Sequence, residues 1–172
     1  MAELLKGRWT ARFDGSFVPF LIGMRTNKPW KIHSWDPVAA AMPRMIGALA
    51  AKPELGFLGA DTWFARTILM VQYWRSFEAL EAYAHMRDKA HLPAWAAFYR
   101  AVGANGDVGI FHETYRVEPG GHENVYANMP PILVGRISDL VEAKARLNAD
   151  GEAEGASGLI AAGARLTQIQ HC

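Results

Sequence analysis

The chain has 172 residues, of which 51% are apolar and 20% are charged, and its formal net charge is +1. This balance is typical of a globular domain with its own core, and the absence of a basic cluster argues against nucleic acid as a partner. The sequence has one cysteine, no apolar run of a signal peptide and no stretch of about 18 apolar residues, so we expect no disulfide framework, no membrane partner and a cytoplasmic location.

A strand and a helix are predicted in the first 51 residues. The apolar run at 17–25 is bounded by turn residues, which is typical of a strand. Asp36 is a good N-cap and Pro37 suits the first turn, so a helix is predicted over 37–51. Pro43 costs about 3 kcal/mol inside a helix, which predicts a kink or a later start.

A β-hairpin is predicted next, with strands at about 56–64 and 67–74. The second strand is rich in β-branched and aromatic residues. Alternation places Tyr73 on one face of this strand and Trp74 on the other. Both faces are mostly apolar, which predicts a sheet that is covered on both sides.

Two helices and a fourth strand are predicted to follow. Ser76 is the expected N-cap of the first helix, which ends near residue 86. Pro93 forbids one continuous helix, so a second helix is predicted to begin near Leu92. The alternating segment at 108–117 is typical of a strand.

The C-terminal part is interpreted as an appendage to the main domain. Residues 1–131 are expected to form that domain, and residues 132–172 to add a helix whose apolar stripe includes Leu140 and Leu147. The segment "VYANMPPILVG", residues 125–135, is read as an extended arm.

The order strand, helix, two strands, helix pair, strand predicts the α+β fold class, as a ferredoxin-like split β-α-β sandwich. One face of such a sheet carries no helices. That face is also predicted to be apolar, and burial against a second copy would give a two-fold homodimer.

Several segments carry a family resemblance: "GMRTNKPWKIHSWDPVAAAMPRM", "ELGFLGA", "VQYWRSFEALEAYA", "HLPAWAAF", "GDVGIFHETYRV" and "VYANMPP". Over residues 18–131 the chain resembles an uncharacterised monooxygenase-like family of the dimeric α/β-barrel superfamily. Relatives there include antibiotic-biosynthesis monooxygenases, haem-degrading monooxygenases, chlorite dismutases and haem-containing aldoxime dehydratases. The resemblance implies a dimeric α/β barrel, oxygenation chemistry and a pocket between sheet and helices.

The same resemblance implies haem as a cofactor. In the haem-degrading branch, a tryptophan ends the third strand and a histidine follows in the helical region, and Trp74 and His91 stand in similar places here. His91 is the expected iron ligand, with Trp74 and Trp95 beside the cofactor. The alternative is that His91 only caps or supports the helix that follows it.

His112 and Glu113 are the candidate acid–base residues. As neighbours on a strand they face opposite sides of the sheet, so they cannot form one catalytic pair within a subunit. Arg25 is the expected partner of Glu113 if their strands are adjacent. The alternative is a buried polar network that fixes the dimer.

Aromatic side chains supply a candidate substrate pocket. Tyr73, Trp74, Trp95 and Phe98 are interpreted as a slot for a flat substrate, with plain core packing as the alternative. Tyr126 and Asn128, in the extended arm, are expected either to close the pocket or to cover an edge strand.

These residues favour a monooxygenase-like enzyme that acts on a small apolar or aromatic substrate. One version uses haem, held by His91 or His112, for oxidation or for an aldoxime-dehydratase type of reaction. Another has no cofactor, and a histidine base generates a substrate carbanion that reacts with dioxygen. A haem or small-molecule carrier without turnover is the non-enzymatic alternative.

Overall fold

A computed structural model describes residues 3–86, 106–143, 146–147 and 153–154. The predicted second helix near Leu92, with His91, Trp95 and Phe98, lies outside these residues. The chain divides into two compact units, residues 14–119 and residues 1–13 with 120–172. Among the described residues no helix has the length and apolarity needed to cross a membrane.

The described part contains nine strands, two α-helices and two short 3₁₀ helices. The strands are β1 (Leu5–Arg12), β2 (Val18–Thr26), β3 (Phe57–Trp63), β4 (Thr67–Trp74), β5 (Val108–Thr114), β6 (Tyr126–Met129), β7 (Asp139–Glu142), β8 (Arg146–Leu147) and β9 (Ala153–Glu154). The α-helices are α1 (Ile32–Ala50) and α2 (Phe77–His85), and the 3₁₀ helices are Pro53–Leu55 and Leu133–Arg136.

The larger unit is built on a four-stranded antiparallel sheet in the order β3-β4-β2-β5. The helix α1 connects β2 to β3, and α2 follows β4. This order and these connections are those of a ferredoxin-like sandwich, so the predicted α+β fold class is confirmed.

One face of this sheet is covered by both helices. The buried core there contains Val18, Trp74 and Leu49 of α1, and Leu80 of α2 packs against it. At the other end of the sheet, the α1 residue Trp35 packs against a second buried cluster. We call this side, which carries Val18 and Trp74 and their alternate neighbours, the helix face.

The other side of the sheet, called the opposite face, carries the intervening residues of each strand. Gly23 lies at its centre, with the Phe111 ring directly above: a Cβ added to Gly23 would lie 2.5 Å from Phe111 Cε1. Phe111 is 39% exposed, whereas Val71 and Tyr73 on the same face are buried. This face is therefore apolar in part and still accessible at its β5 edge.

The observed starts of α1 and α2 can be compared with the starts predicted from the sequence. Ser76 caps α2 as predicted, because its Oγ accepts a hydrogen bond of 3.1 Å from the Ala79 N–H. The start predicted for α1 is wrong: α1 begins at Ile32 and continues through Pro43. Trp35 helps hold this early first turn, since its Nε1–H donates to the Pro29 carbonyl at 3.0 Å.

The smaller unit contains a three-stranded sheet in the order β6-β1-β7 and a short β8-β9 hairpin. The helix predicted around Leu140 is wrong, because this residue lies in β7 opposite Ala11 of β1. β1 was not predicted as a strand. The two compact units divide the chain at residues 13 and 119, whereas the boundary expected from the sequence lies at 131. The N-terminal residues belong to the smaller unit because β1 pairs with β6 and β7, which are more than 100 residues away in the sequence.

Candidate functional site

Three buried side chains of β4 are linked by hydrogen bonds on the helix face. The Trp74 Nε1–H donates to Gln72 Oε1 at 3.0 Å, and Gln72 Nε2 donates to Met70 Sδ at 3.3 Å. All three side chains are buried, and Gln72 is only 2% exposed. An indole nitrogen is only a donor, so Trp74 fixes which way the amide points and directs its NH₂ group toward Met70.

His112 lies on the same face, on the edge strand β5. It is directly opposite Ile22 of β2, which is in turn opposite Met70. Its ring centre is 5.9 Å from that of Phe20, and the side chain is exposed. Within the described part of the chain its ring nitrogens form no hydrogen bond.

Trp74, expected beside a cofactor, is a core residue. It is fully buried, with Phe57 edge-on at 5.5 Å and Tyr83 at 5.3 Å between ring centres. Burial raises the pKa of the Tyr83 hydroxyl above its ordinary value. The indole has no exposed surface left for a flat ligand, which favours the core interpretation of this residue.

The slot proposed from four aromatic residues cannot contain both Tyr73 and Trp74. The Tyr73 ring is on the opposite face, 5.9 Å from the Phe17 ring, because successive side chains of a strand alternate. The other two members, Trp95 and Phe98, lie outside the described residues.

Arg25 and Glu113 lie on neighbouring strands, as predicted, but they do not form a pair. The register sets Glu113 opposite Leu21 and sets Arg25 opposite Gly109, four residues further along the ladder. At about 3.4 Å per residue this separation is more than 10 Å. Arg25 instead donates from Nη1 to Thr67 Oγ1 at 3.1 Å.

Glu113 has a different partner on the opposite face. Its Oε2 accepts a short hydrogen bond from the Tyr115 hydroxyl, two residues along the chain. This bond and the carboxylate charge raise the pKa of the Tyr115 hydroxyl above its ordinary value. The two exposed side chains form a local polar pair, on the other side of the sheet from His112.

Tyr126 and Asn128 have structural partners within the smaller unit. The Tyr126 hydroxyl accepts from the Gly135 N–H at 2.9 Å, and its ring would be 3.0 Å from a Cβ at Gly135. Asn128 has a positive φ of 53°, and its Oδ1 accepts from the Gly7 N–H at 3.0 Å. Their predicted role in closing a pocket stays a prediction.

Gln72 is the residue that sequence reasoning overlooked. It is the one amide in the otherwise apolar and aromatic segment "TILMVQYW". A polar side chain in a strand with two apolar faces must find a buried partner, and the indole two residues later is the right distance away to supply one. The two-residue spacing of Gln72 and Trp74 could therefore have predicted their hydrogen bond from the sequence.

The described residues fit one part of a haem site. No cluster of three or more His, Cys, Asp or Glu side chains capable of holding a metal ion occurs in the described ranges. Haem iron, however, needs only one axial imidazole from the protein, and the exposed His112 beside an apolar surface fits that requirement. Trp74 does not fit as a cofactor contact because it is fully buried.

Comparison with known proteins identifies relatives over most of the chain. A family model described as Monooxygenase af470-like matches residues 17–134. Monooxygenase af470 of Aspergillus fumigatus is 30% identical to this chain in an alignment of 183 positions. The alignment covers 94% of this chain and 64% of that relative. This chain therefore spans a little under two thirds of the length of that curated relative.

Two solved aldoxime dehydratases have a similar fold. One, OxdRE in complex with butyraldoxime, is 16% identical with a TM-score of 0.58 over 73% of this chain and 38% of that one. The second is 18% identical with a TM-score of 0.60 over 81% of this chain and 42% of that one. At these identities the likeness shows a shared fold.

Proposed function

Because the chain belongs to the Monooxygenase af470-like family, we propose that it is a monooxygenase-like enzyme acting on a small apolar or aromatic substrate. We place the reaction on the helix face of the larger unit. The observation that carries this proposal is His112, an exposed imidazole without a hydrogen bond to any described residue, beside the Phe20 ring. A base next to an apolar surface suits a substrate with an acidic C–H bond.

In the cofactor-free version, His112 takes a proton from a CH₂ group activated by an adjacent ring or carbonyl. The carbanion gives an electron pair to dioxygen, a C–O bond forms, and the imidazolium returns the proton to the peroxide. Loss of water from this hydroperoxide breaks the O–O bond and leaves a carbonyl. The carbon is oxidised, one oxygen atom enters the product, and the other leaves as water.

Oxygen consumption tests this function directly. Purified protein is mixed in an oxygen-electrode cell with a panel of aromatic compounds that carry a CH₂ group next to a ring or a carbonyl, and uptake is compared with that of heat-denatured protein. We expect uptake that depends on substrate and saturates with its concentration. Saturable substrate binding without any oxygen uptake would contradict the monooxygenase proposal.

Haem is the cofactor of a second version, which is supported by the exposed His112 imidazole and by the lack of a hydrogen bond from it to any described residue. His112 would hold the iron, and haem when bound would supply dioxygen chemistry or, as the fold likeness to aldoxime dehydratases suggests, dehydration of an aldoxime. The other predicted ligand, His91, lies outside the described residues.

Absorption spectroscopy separates the two versions. When haem is added to the haem-free protein, we expect a Soret band that saturates at one equivalent and is lost in His112→Ala. A band lost only in His91→Ala would assign the ligand to His91 instead. A band unchanged in both variants would rule out both histidines, and the absence of any band would leave the cofactor-free version.

We also propose that the larger unit forms a homodimer through the opposite face. An exposed aromatic ring at Phe111, on the same face as the buried Val71, supports a contact between copies. Replacing Phe111 with glutamate would bury an unpaired charge in each copy, so we expect about 100-fold weaker association or more. Analytical ultracentrifugation measures this. The control is Trp30→Glu, which adds the same charge at an exposed residue between β2 and α1, outside the sheet, and should remain dimeric.

A further inference from the structure

Two turns of the larger unit meet at one end of its sheet. The Thr26 N–H and Oγ1 both donate to the Arg66 carbonyl, at 3.0 and 3.1 Å, and Arg66 Nε donates to the Thr26 carbonyl at 3.4 Å. These bonds join the last residue of β2 to the hairpin between β3 and β4. We call the surface formed by residues 27–32 and 63–66 the aromatic–basic tip.

The aromatic–basic tip carries the most exposed large apolar side chains among the described residues. Phe64 is 74% exposed, Trp30 is 73% exposed, and Ile32 is also exposed. Each aromatic ring offers on the order of 150–250 Å² of surface, so leaving both in water is unfavourable. These exposed side chains do not contribute to the core, and they would suit a contact with another molecule.

The charged side chains of the tip are all basic. They are Lys28, Lys31 and Arg66, and the ranges that define the tip contain no acidic residue. Asp107, which is buried, faces both lysines, with Nζ to carboxylate oxygen distances of 2.7 Å for Lys28 and 2.8 Å for Lys31. These ammonium groups lower the pKa of Asp107, so the carboxylate stays ionised. Counted together with Asp107, the tip carries three cations and one anion, an excess of positive charge.

The turn that presents Trp30 is held in place on both sides. The N–H groups of Asn27 and Lys28 donate to the Asp107 carbonyl at 2.9 and 3.2 Å. After Trp30, the Lys31 N–H donates to the Lys28 carbonyl at 3.0 Å, closing the turn. The exposed indole is thus presented by an ordered backbone, which lowers the entropy lost when it binds.

We propose that the aromatic–basic tip binds the surface of an anionic lipid bilayer. Tryptophan favours the membrane–water interface, Phe64 and Ile32 would bury apolar surface among the acyl chains, and the excess of cations matches a negative surface. A fluid bilayer needs no shape match to two separate turns, whereas a protein partner does. The expectation of no membrane partner depended on the lack of a spanning segment, and a peripheral contact needs none.

Vesicle sedimentation tests this proposal on the full chain. Protein is spun with vesicles of phosphatidylcholine alone and with vesicles that also contain phosphatidylserine. We expect binding to the second kind, weakened by added salt, and at least about tenfold weaker binding for the double variant Trp30→Ala/Phe64→Ala. Both side chains are about three quarters exposed, so this variant should fold normally by circular dichroism.

The control is Leu4→Ala, which removes another exposed apolar side chain outside the tip and should bind as the unaltered protein does. Three results would overturn the proposal: no binding to the phosphatidylserine vesicles, equal binding to both kinds of vesicle, or undiminished binding by the double variant. A change of oligomeric state in the double variant would instead assign the tip to a contact between copies of the chain.

Discussion

Replacing Trp74 with alanine is expected to lower the free energy of unfolding by about 3–5 kcal/mol, the usual loss for a large buried aromatic side chain. Its ring is fully buried and contacts Phe57 and Tyr83, so its removal leaves a cavity in the main core cluster. The substitution also leaves Gln72 Oε1 without its indole donor, and an unpaired buried acceptor costs about 1–3 kcal/mol on its own.

Urea denaturation followed by circular dichroism measures this loss. Trp74→Phe separates the two contributions, because it keeps most of the ring volume but removes the hydrogen bond to Gln72. Trp30→Ala is the matched control: its ring is mostly exposed, so the free energy of unfolding should change by about 0.5 kcal/mol or less. A loss below about 1 kcal/mol in Trp74→Ala would contradict the assignment of Trp74 to the core.

Replacing His112 with alanine is expected to lower kcat for oxygen uptake by about 10²–10⁴-fold, the usual contribution of a general base. The stability of the protein should hardly change, because the imidazole is exposed and has no hydrogen bond to a described residue. The substitution does remove the contact of the imidazole with the Phe20 ring, which is a small loss at an exposed position. A large kinetic effect with a small stability effect is the pattern of a residue that acts on substrate.

Steady-state oxygen uptake and urea denaturation are measured on the same preparations of His112→Ala. Imidazole added to the solution should restore part of the lost rate, since it can occupy the space left by the side chain and accept the proton. His122→Ala tests specificity, because this histidine lies in the smaller unit and contacts Asn124 there. Unchanged kcat in His112→Ala would remove His112 from the reaction.

The sequence predicted the central sheet well because its signals are local. Alternation and β-branched residues placed β2, β4 and β5 within a few residues of their observed bounds, and Ser76 marked the start of α2. Each of these features depends on neighbours a few positions apart. The same alternation already separated Tyr73 from Trp74, so the slot that combined them contradicted a signal in the sequence itself.

Features that depend on distant pairing could not be predicted in this way. The segment around Leu140 has apolar spacing compatible with a helix, and only its pairing with β1 makes it a strand. The predicted contact between Arg25 and Glu113 is wrong for a similar reason: adjacency of strands follows from the fold, but register is set by side-chain packing along the whole ladder.

The most direct measurement compares oxygen uptake by His112→Ala and Glu113→Gln under the same conditions. These neighbours in β5 lie on opposite sides of one sheet, and the amide oxygen introduced by Glu113→Gln can still accept a hydrogen bond from the Tyr115 hydroxyl. If the reaction takes place on the helix face, His112→Ala loses at least about 100-fold in kcat and Glu113→Gln keeps nearly the full rate. The reverse order, with Glu113→Gln inactive and His112→Ala active, would move the chemistry to the opposite face and contradict this account.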